Sequence, residues 1–202
     1  MIFSVAGFKG GIGKTTTAVH LAAYLVRHAP TILVDGDLIL SSTRWSERGE
    51  LPFDVVGERQ LGKAVREYEH VVIDTQARPE ADDLQDLASG CDMLLIPTMP
   101  DAMSLEGVIM TVEAIQNLTT DADYRILLTS VPPKPARDGE EARSMLAEQK
   151  LKVCAGHISR LAAFRKAALY GVPVYDVKDK LAHRAWEEYE RVGKEVTSTN
   201  GV

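Results

Sequence analysis

Residues 2–6, IFSVA, form a short apolar run that passes without a break into GFKGGIGKTTT (7–17) and then AVHLAAYL (18–25). An apolar run, a glycine cluster and an alanine- and leucine-rich stretch in that order specify a buried strand, a tight loop and a helix. The predicted helix spans Lys14 to Arg27, with Ala18, Leu21, Ala22 and Leu25 on one stripe, and stops before Pro30. Such a loop exposes backbone N–H groups and the positive end of the helix dipole to an anion. Gly10, Gly11 and Gly13 let the backbone approach phosphate oxygens with no Cβ in the way, and Ile12 lies between them. Lys14 supplies charge to β and γ phosphates, the Thr15 hydroxyl suits Mg²⁺, and Thr16 is counted among the cofactor-binding residues. The strict pattern G-x-x-x-x-G-K-[ST] nevertheless fails, because Phe8 fills its first glycine slot and a second lysine, Lys9, follows.

The remaining chain repeats the strand–helix alternation. Candidate strands are TILVD (31–35), FDVV (53–56), HVVID (70–74), MLLIP (93–97), RILLTS (125–130), KVCAG (152–156) and VPVYD (172–176). Several are apolar on consecutive residues, as expected when helices cover both sheet faces. The fold class is therefore α/β, a doubly wound, mostly parallel sheet with helices on both faces. Asp138 with Glu141 reads as a capping box opening a helix to about Lys150. With 202 residues and no linker, one domain over 1–196 is expected, followed by a frayed tail, 197–202. No apolar run reaches membrane-spanning length. Cys91 and Cys154 lie far apart without metal-ligand spacing and read as buried thiols, and Trp45 and Trp186 as packing residues.

In an open parallel sheet, ligands sit beyond the carboxyl ends of strands. VVID delivers Asp74 there, and TILVDGD delivers Asp35 and Asp37, which could polarise a water, hold the metal's outer shell or merely cap a helix. The net charge of −6 excludes a protein uniformly coated for nucleic acid. A local basic stretch remains: Arg160, Arg165, Lys166, Lys178, Lys180 and Arg184 face only Asp176 and Asp179 between Gly156 and Arg184. It suits a salt-sensitive phosphate stripe for nonspecific DNA, or an ordinary solvated helix face. Pro132 and Pro133, and the segment ending near Tyr175, lie where a base could pack.

KGGIGKTT, residues 9–16, resembles the deviant Walker A motif of the ParA/MinD superfamily of P-loop ATPases, and DGD and VVID resemble its switch and Walker B segments. The resemblance implies ATP and Mg²⁺ as cofactors. It assigns Thr15, Asp37 and Asp74 to the metal, Asp37 to water positioning, and Lys9, beside Lys14, to the phosphates held by the other subunit of an ATP-dependent homodimer. VVIDTQARP, IPTMPDAMSLEG, LLTSVPPKPARDGEEAR and AAFRKAALYGVPVYDV look most like the small orphan ParA-type ATPases, among them the McdA proteins that space carboxysomes. Leu38-Ile39 stands where relatives usually have Pro-Gln, and TQARP follows Asp74 where relatives often have small residues. The implied protein is cytoplasmic and nucleoid-associated. It binds nonspecific DNA as a dimer and positions or segregates a plasmid, chromosome or carboxysome-like body, reset by slow hydrolysis that a small ParB- or McdB-like adaptor stimulates. A dethiobiotin-synthetase-type ligase is the enzyme alternative, although it would not need Lys9. The C-terminal RVGKEVTSTNGV lacks the apolar face of a MinD-like membrane helix, so no membrane partner is expected.

Overall fold

In a computed structural model, residues 1–7, 9–60, 62, 67–76, 81–116 and 123–198 are described; Phe8, the Ala77–Pro79 part of TQARP and residues 199–202 of the tail lie outside them. The elements run β1 (Ile2–Val5), α1 (Lys14–Leu25), β2 (Thr31–Gly36), α2 (Ser41–Ser46), β3 (Asp54–Gly57), β4 (His70–Thr75), α3 (Ala81–Ser89), β5 (Met93–Thr98), α4 (Ala102–Gln116), β6 (Asp123–Leu128), α5 (Asp138–Glu148), α6 (Ala162–Tyr170) and α7 (Ala182–Ser198). The strands form one six-stranded sheet in the order β3-β2-β4-β1-β5-β6, with every neighbouring pair parallel.

Consecutive apolar residues feed two separate cores. Met93 and Leu95 of β5 join Phe3, Leu33 and Leu127 beneath α1, α6 and α7. Leu94 and Ile96 join Ile126 and Leu128 beneath α4 and α5. A strand with side chains on alternating faces must be apolar throughout when both faces are covered. The two cores are the structural reason that β5 is buried at all six positions. Helix α7 lies against α1 so closely that a Cβ on Gly193 would stand 2.3 Å from Tyr24 Cδ1. Glycine there sets the distance between the two helices.

Three sequence expectations change. KVCAG forms an isolated parallel bridge from Val153 to Ile126, and the next contacts with the end of β6 come only at Ile158 and Ser159, so no continuous ladder forms among the described residues. VPVYD is a 3₁₀ turn over Val174–Asp176; Pro173 has no N–H for a ladder, and the Val174 N–H is taken by His20 Nε2 at 3.1 Å. Helix α5 is preceded by Arg137 with no side-chain cap, so Asp138 lies inside its first turn beside Glu140 and Glu141, where it complements the helix dipole. At the other end, α7 carries Thr197 and Ser198, the first two residues of the expected tail. Both tryptophans and both free cysteines are buried.

Candidate nucleotide site

The strand order places β1 between β4 and β5, so the loop after Val5 opens at the point where the connections diverge to the two sides of the sheet. Gly11 and Gly13 take left-handed φ values of 79° and 91°, which only glycine adopts without strain. Among the described residues, nothing lies within 4 Å of where a Cβ would stand on Gly10 or Gly11. Helix α1 begins with no side-chain cap and no acidic residue in its first turn, leaving its positive end for an external anion. From the far side, Thr129, just past β6, donates its hydroxyl to the Ile12 carbonyl at 2.7 Å and props the loop.

Lys14 is buried, its Nζ donating to the Lys9 carbonyl at 3.2 Å. Burial lowers its pKa, and the nearby carboxylates of Asp74 and Asp37 oppose that shift. Lys9 behaves differently. Its Nζ donates to Ser104 Oγ at 3.1 Å and lies 3.5 Å from Asp101 Oδ1, at the start of α4, with 36% of the side chain exposed.

Registry across the sheet brings the acids to the same level: Asp74 pairs with Asp35 on β2 and with Val5 on β1. Asp74 is fully buried; Oδ2 accepts from Ser42 Oγ at 2.7 Å, and Oδ1 has no hydrogen-bond partner among the described residues. Burial pushes its pKa up to about 6, against the hydroxyls of Ser42 and Thr15. A buried carboxylate oxygen left over beside a threonine hydroxyl fits a hydrated cation, so Thr15 and Asp74 would hold Mg²⁺ here. The ion would offset charge on the phosphates.

Asp35 and Asp37 have separate tasks. Asp35 is buried and accepts from the Thr43 N–H and hydroxyl, both at 2.7 Å, and from the Asp37 N–H at 3.2 Å, which anchors α2. Asp37 is half-buried, accepting from the Ile39 N–H and from Ser41 Oγ, each at 3.1 Å. The intervening residues leave the surface as an apolar knuckle, with Leu38 86%, Ile39 63% and Leu40 46% exposed.

A cavity of about 690 Å³ adjoins the loop, lined in part by Gly11, Thr16, Ser130, Arg160, Phe164 and Arg165, a volume in the range of ligand pockets. Pro132 is half-buried in the following loop and is absent from the lining. Arg160 and Arg165 thus stand beside the phosphate loop. Lys166 pairs with Asp179 at 2.7 Å, and Arg184 approaches Glu188 at 3.4 Å. Lys178 and Lys180 are exposed.

Sequence reasoning missed His20, which had no nameable partner. It donates from Nδ1 to the Thr16 carbonyl at 2.6 Å, accepts the Val174 N–H at Nε2, and stacks on Tyr189 at 4.7 Å between centroids. Tyr189 in turn shares a hydrogen bond with Thr17 at 3.2 Å. These contacts tie the first turns of α1 to α7 across more than 150 residues of sequence. Ser42, Ser104 and Thr129 were missed as well, since a lone hydroxyl carries no periodic signal.

Residues 3–174 match the CobQ/CobB/MinD/ParA nucleotide-binding domain. The chain is 35% identical to the maintenance of carboxysome distribution protein A of Gloeobacter kilaueensis, over 96% of this chain and 93% of that protein. In fold it is similar to apo McdA of Cyanothece, with a TM-score of 0.73 and 16% identity over 95% of this chain and 98% of the other. It is similar also to the septum site-determining protein MinD of Pyrococcus horikoshii in complex with Mg-ADP, with a TM-score of 0.72 and 18% identity over 99% and 97% of the two chains. A family match over most of the chain, centred on a loop of this geometry, places the protein in the CobQ/CobB/MinD/ParA nucleotide-binding family, as an ATPase of the ParA/MinD/McdA type.

Proposed function

We propose that the protein positions a cargo by cycling between an ATP-bound sandwich dimer that holds nonspecific DNA and a monomer released by hydrolysis. The observation that carries this reading is the division of labour between the lysines. Lys14 is buried in its own loop, whereas the Lys9 ammonium is carried away from it to a half-exposed seat on α4. A second cation available to a neighbouring subunit's γ phosphate would act like an arginine finger, linking association to the state of the nucleotide. Asp37 orients the attacking water, and Thr15, Asp37 and Asp74 serve Mg²⁺. Arg160, Arg165, Lys178 and Lys180, together with Lys166 and Arg184, which are in ion pairs, supply the phosphate-binding stripe. The carboxysome-distribution relative supports a microcompartment as cargo. A small ParB- or McdB-like adaptor would stimulate hydrolysis and so reset the cycle.

The direct test measures dimerisation and DNA co-sedimentation with ATP, ADP and no nucleotide, for wild type and Lys9→Ala, at two salt concentrations. ATP alone should give a dimer that binds DNA salt-sensitively, and Lys9→Ala should lose both. Nucleotide-independent behaviour, or a Lys9→Ala variant equal to wild type, would overturn the reading.

A further inference from the structure

The seat of Lys9 is built rather than incidental. Asp101 caps α4: Oδ1 accepts the Ser104 N–H at 3.0 Å, and Oδ2 accepts Ser104 Oγ at 2.7 Å. The Ser104 carbonyl accepts Thr98 Oγ1 at 2.9 Å, which fixes the turn to the end of β5, the strand next to β1. Ser104 is only 2% exposed, so its hydroxyl has little freedom to point elsewhere. A carboxylate and a hydroxyl locked in this way form a preorganised acceptor pair for an ammonium, and Lys9 Nζ occupies it. The contact lies within one chain and spans 92 residues to Asp101 and 95 to Ser104.

We propose that Asp101 and Ser104 form a latch that holds Lys9 on its own subunit, so that a partner's γ phosphate must outcompete them before the dimer closes. This rests on the reading that Lys9 acts across a dimer. A γ phosphate offers more charge and more acceptor oxygens than one carboxylate and one hydroxyl, whereas a diphosphate lacks that group. The latch therefore sharpens discrimination between the two nucleotides, and it makes Asp101 and Ser104 positioning residues for association rather than catalytic ones. An ion pair exposed to the extent of 36% and 45% on its two sides is worth roughly threefold in an equilibrium. A symmetric dimer opens two such latches, so the dissociation constant carries the factor twice, about tenfold in all.

The experiment measures dimer dissociation constants by sedimentation equilibrium for the full chain with AMPPNP and with ADP. The proteins compared are wild type, Ser104→Ala, Asp101→Asn, Glu106→Gln, Lys9→Ala and the double variant Lys9→Ala/Ser104→Ala, each first checked for an intact thermal transition. Ser104→Ala and Asp101→Asn should tighten the AMPPNP dimer by several-fold to about tenfold. Both should also give more dimer with ADP than wild type does. Glu106→Gln, which removes an exposed negative charge from α4 without touching Lys9, should match wild type. The Ser104→Ala effect should vanish without Lys9. If wild type and Glu106→Gln dimerise with AMPPNP but neither latch variant is tighter, the latch is wrong while the sandwich dimer stands. Tightening that persists without Lys9 also overturns the latch. If wild type stays monomeric with AMPPNP, the dimer reading fails and the latch fails with it.

Discussion

The phosphate loop and the segment proposed as the switch follow strands that flank β4 on either side, yet they are held in opposite ways. The loop is a backbone structure: left-handed glycines, an uncapped helix start and one prop from Thr129. Behind it α1 is locked by ten buried residues. From Asp35 to Thr43 the switch is held by side chains, with two carboxylates accepting from N–H groups and hydroxyls only two to eight residues away. Backbone N–H groups fixed by a packed helix cannot exchange their direction, so this half suits recognition of phosphate. Local carboxylate contacts can be traded for water or a metal at small cost, so the other half suits a response to what the loop holds.

The largest effect should come from the rigid half. Lys14→Ala removes the buried cation from the loop and should lower ATP hydrolysis at least about a hundredfold, as expected when charge stabilisation of a transition state is lost. Because burial of the ammonium is itself unfavourable, the nucleotide-free melting temperature should not fall with it. Hydrolysis at the wild-type rate would move the active site away from this loop.

Next comes the fastening of that half to α7. His20 is buried and neutral, with a pKa lowered to about 4 from 6.5 because burial disfavours its charged form. The unfolded chain therefore binds a proton first as pH falls. Stability from this residue is complete above about 6.5, is lost steadily down to about 4, and reaches about 3 kcal/mol in total. In urea titrations, the advantage of wild type over His20→Gln should shrink by about 2 kcal/mol between pH values near 7 and near 5. An advantage that is constant over that range would mean that His20 is charged or solvated in the folded protein.

The same contrast explains what could be read from the sequence. The loop was legible because its conformation demands particular residues at particular offsets: glycine where φ is positive, and lysine and threonine at the helix start. The central strands were legible because burial on both faces requires unbroken apolar runs. KVCAG and VPVYD carry similar runs and are not strands. VPVYD is kept from the sheet by Pro173 and by the hydrogen bond from Val174 to His20, a partner 154 residues away, whereas KVCAG makes one isolated bridge to Ile126. The switch acids were legible in position only, since nothing in DGDLIL says that Asp35 would be spent on Thr43 while Asp37 stays half-exposed. The seat of Lys9 was hidden for the same reason, since nothing in IPTMPDAMSLEG links Asp101 or Ser104 to Lys9 until the fold brings β1 beside β5.

Two serines one residue apart sharpen the comparison at lower energy. Ser42 bonds the buried Asp74, while Ser41 bonds the half-exposed Asp37. Ser42→Ala would remove the hydroxyl that the buried Asp74 Oδ2 accepts and should cost about 1–3 kcal/mol in nucleotide-free stability. Water can replace the lost hydroxyl at Asp37, so Ser41→Ala should cost less than about 0.5 kcal/mol. Equal costs in the two denaturation curves would mean that water reaches Asp74, and the buried metal site would then have to be redrawn.

The smallest effect tests how loosely the switch is fixed. Leu40 adopts φ 55° and ψ 49°, a left-handed conformation costing a leucine roughly 1–2 kcal/mol, and 46% of the residue is exposed. Glycine removes that strain, but it also gives the unfolded chain more freedom and forfeits the little packing that Leu40 has. The opposing terms leave Leu40→Gly within about 1 kcal/mol of wild type, on the stabilising side if the left-handed turn is the resting state without nucleotide. If Leu40→Gly is destabilised by more than that, the apolar knuckle packs in solution and is not the free end of a switch. If it is stabilised, Leu38 and Ile39 are held out on a strained hinge, and a change of partner at Asp37 could release that strain by refolding four residues rather than moving a strand.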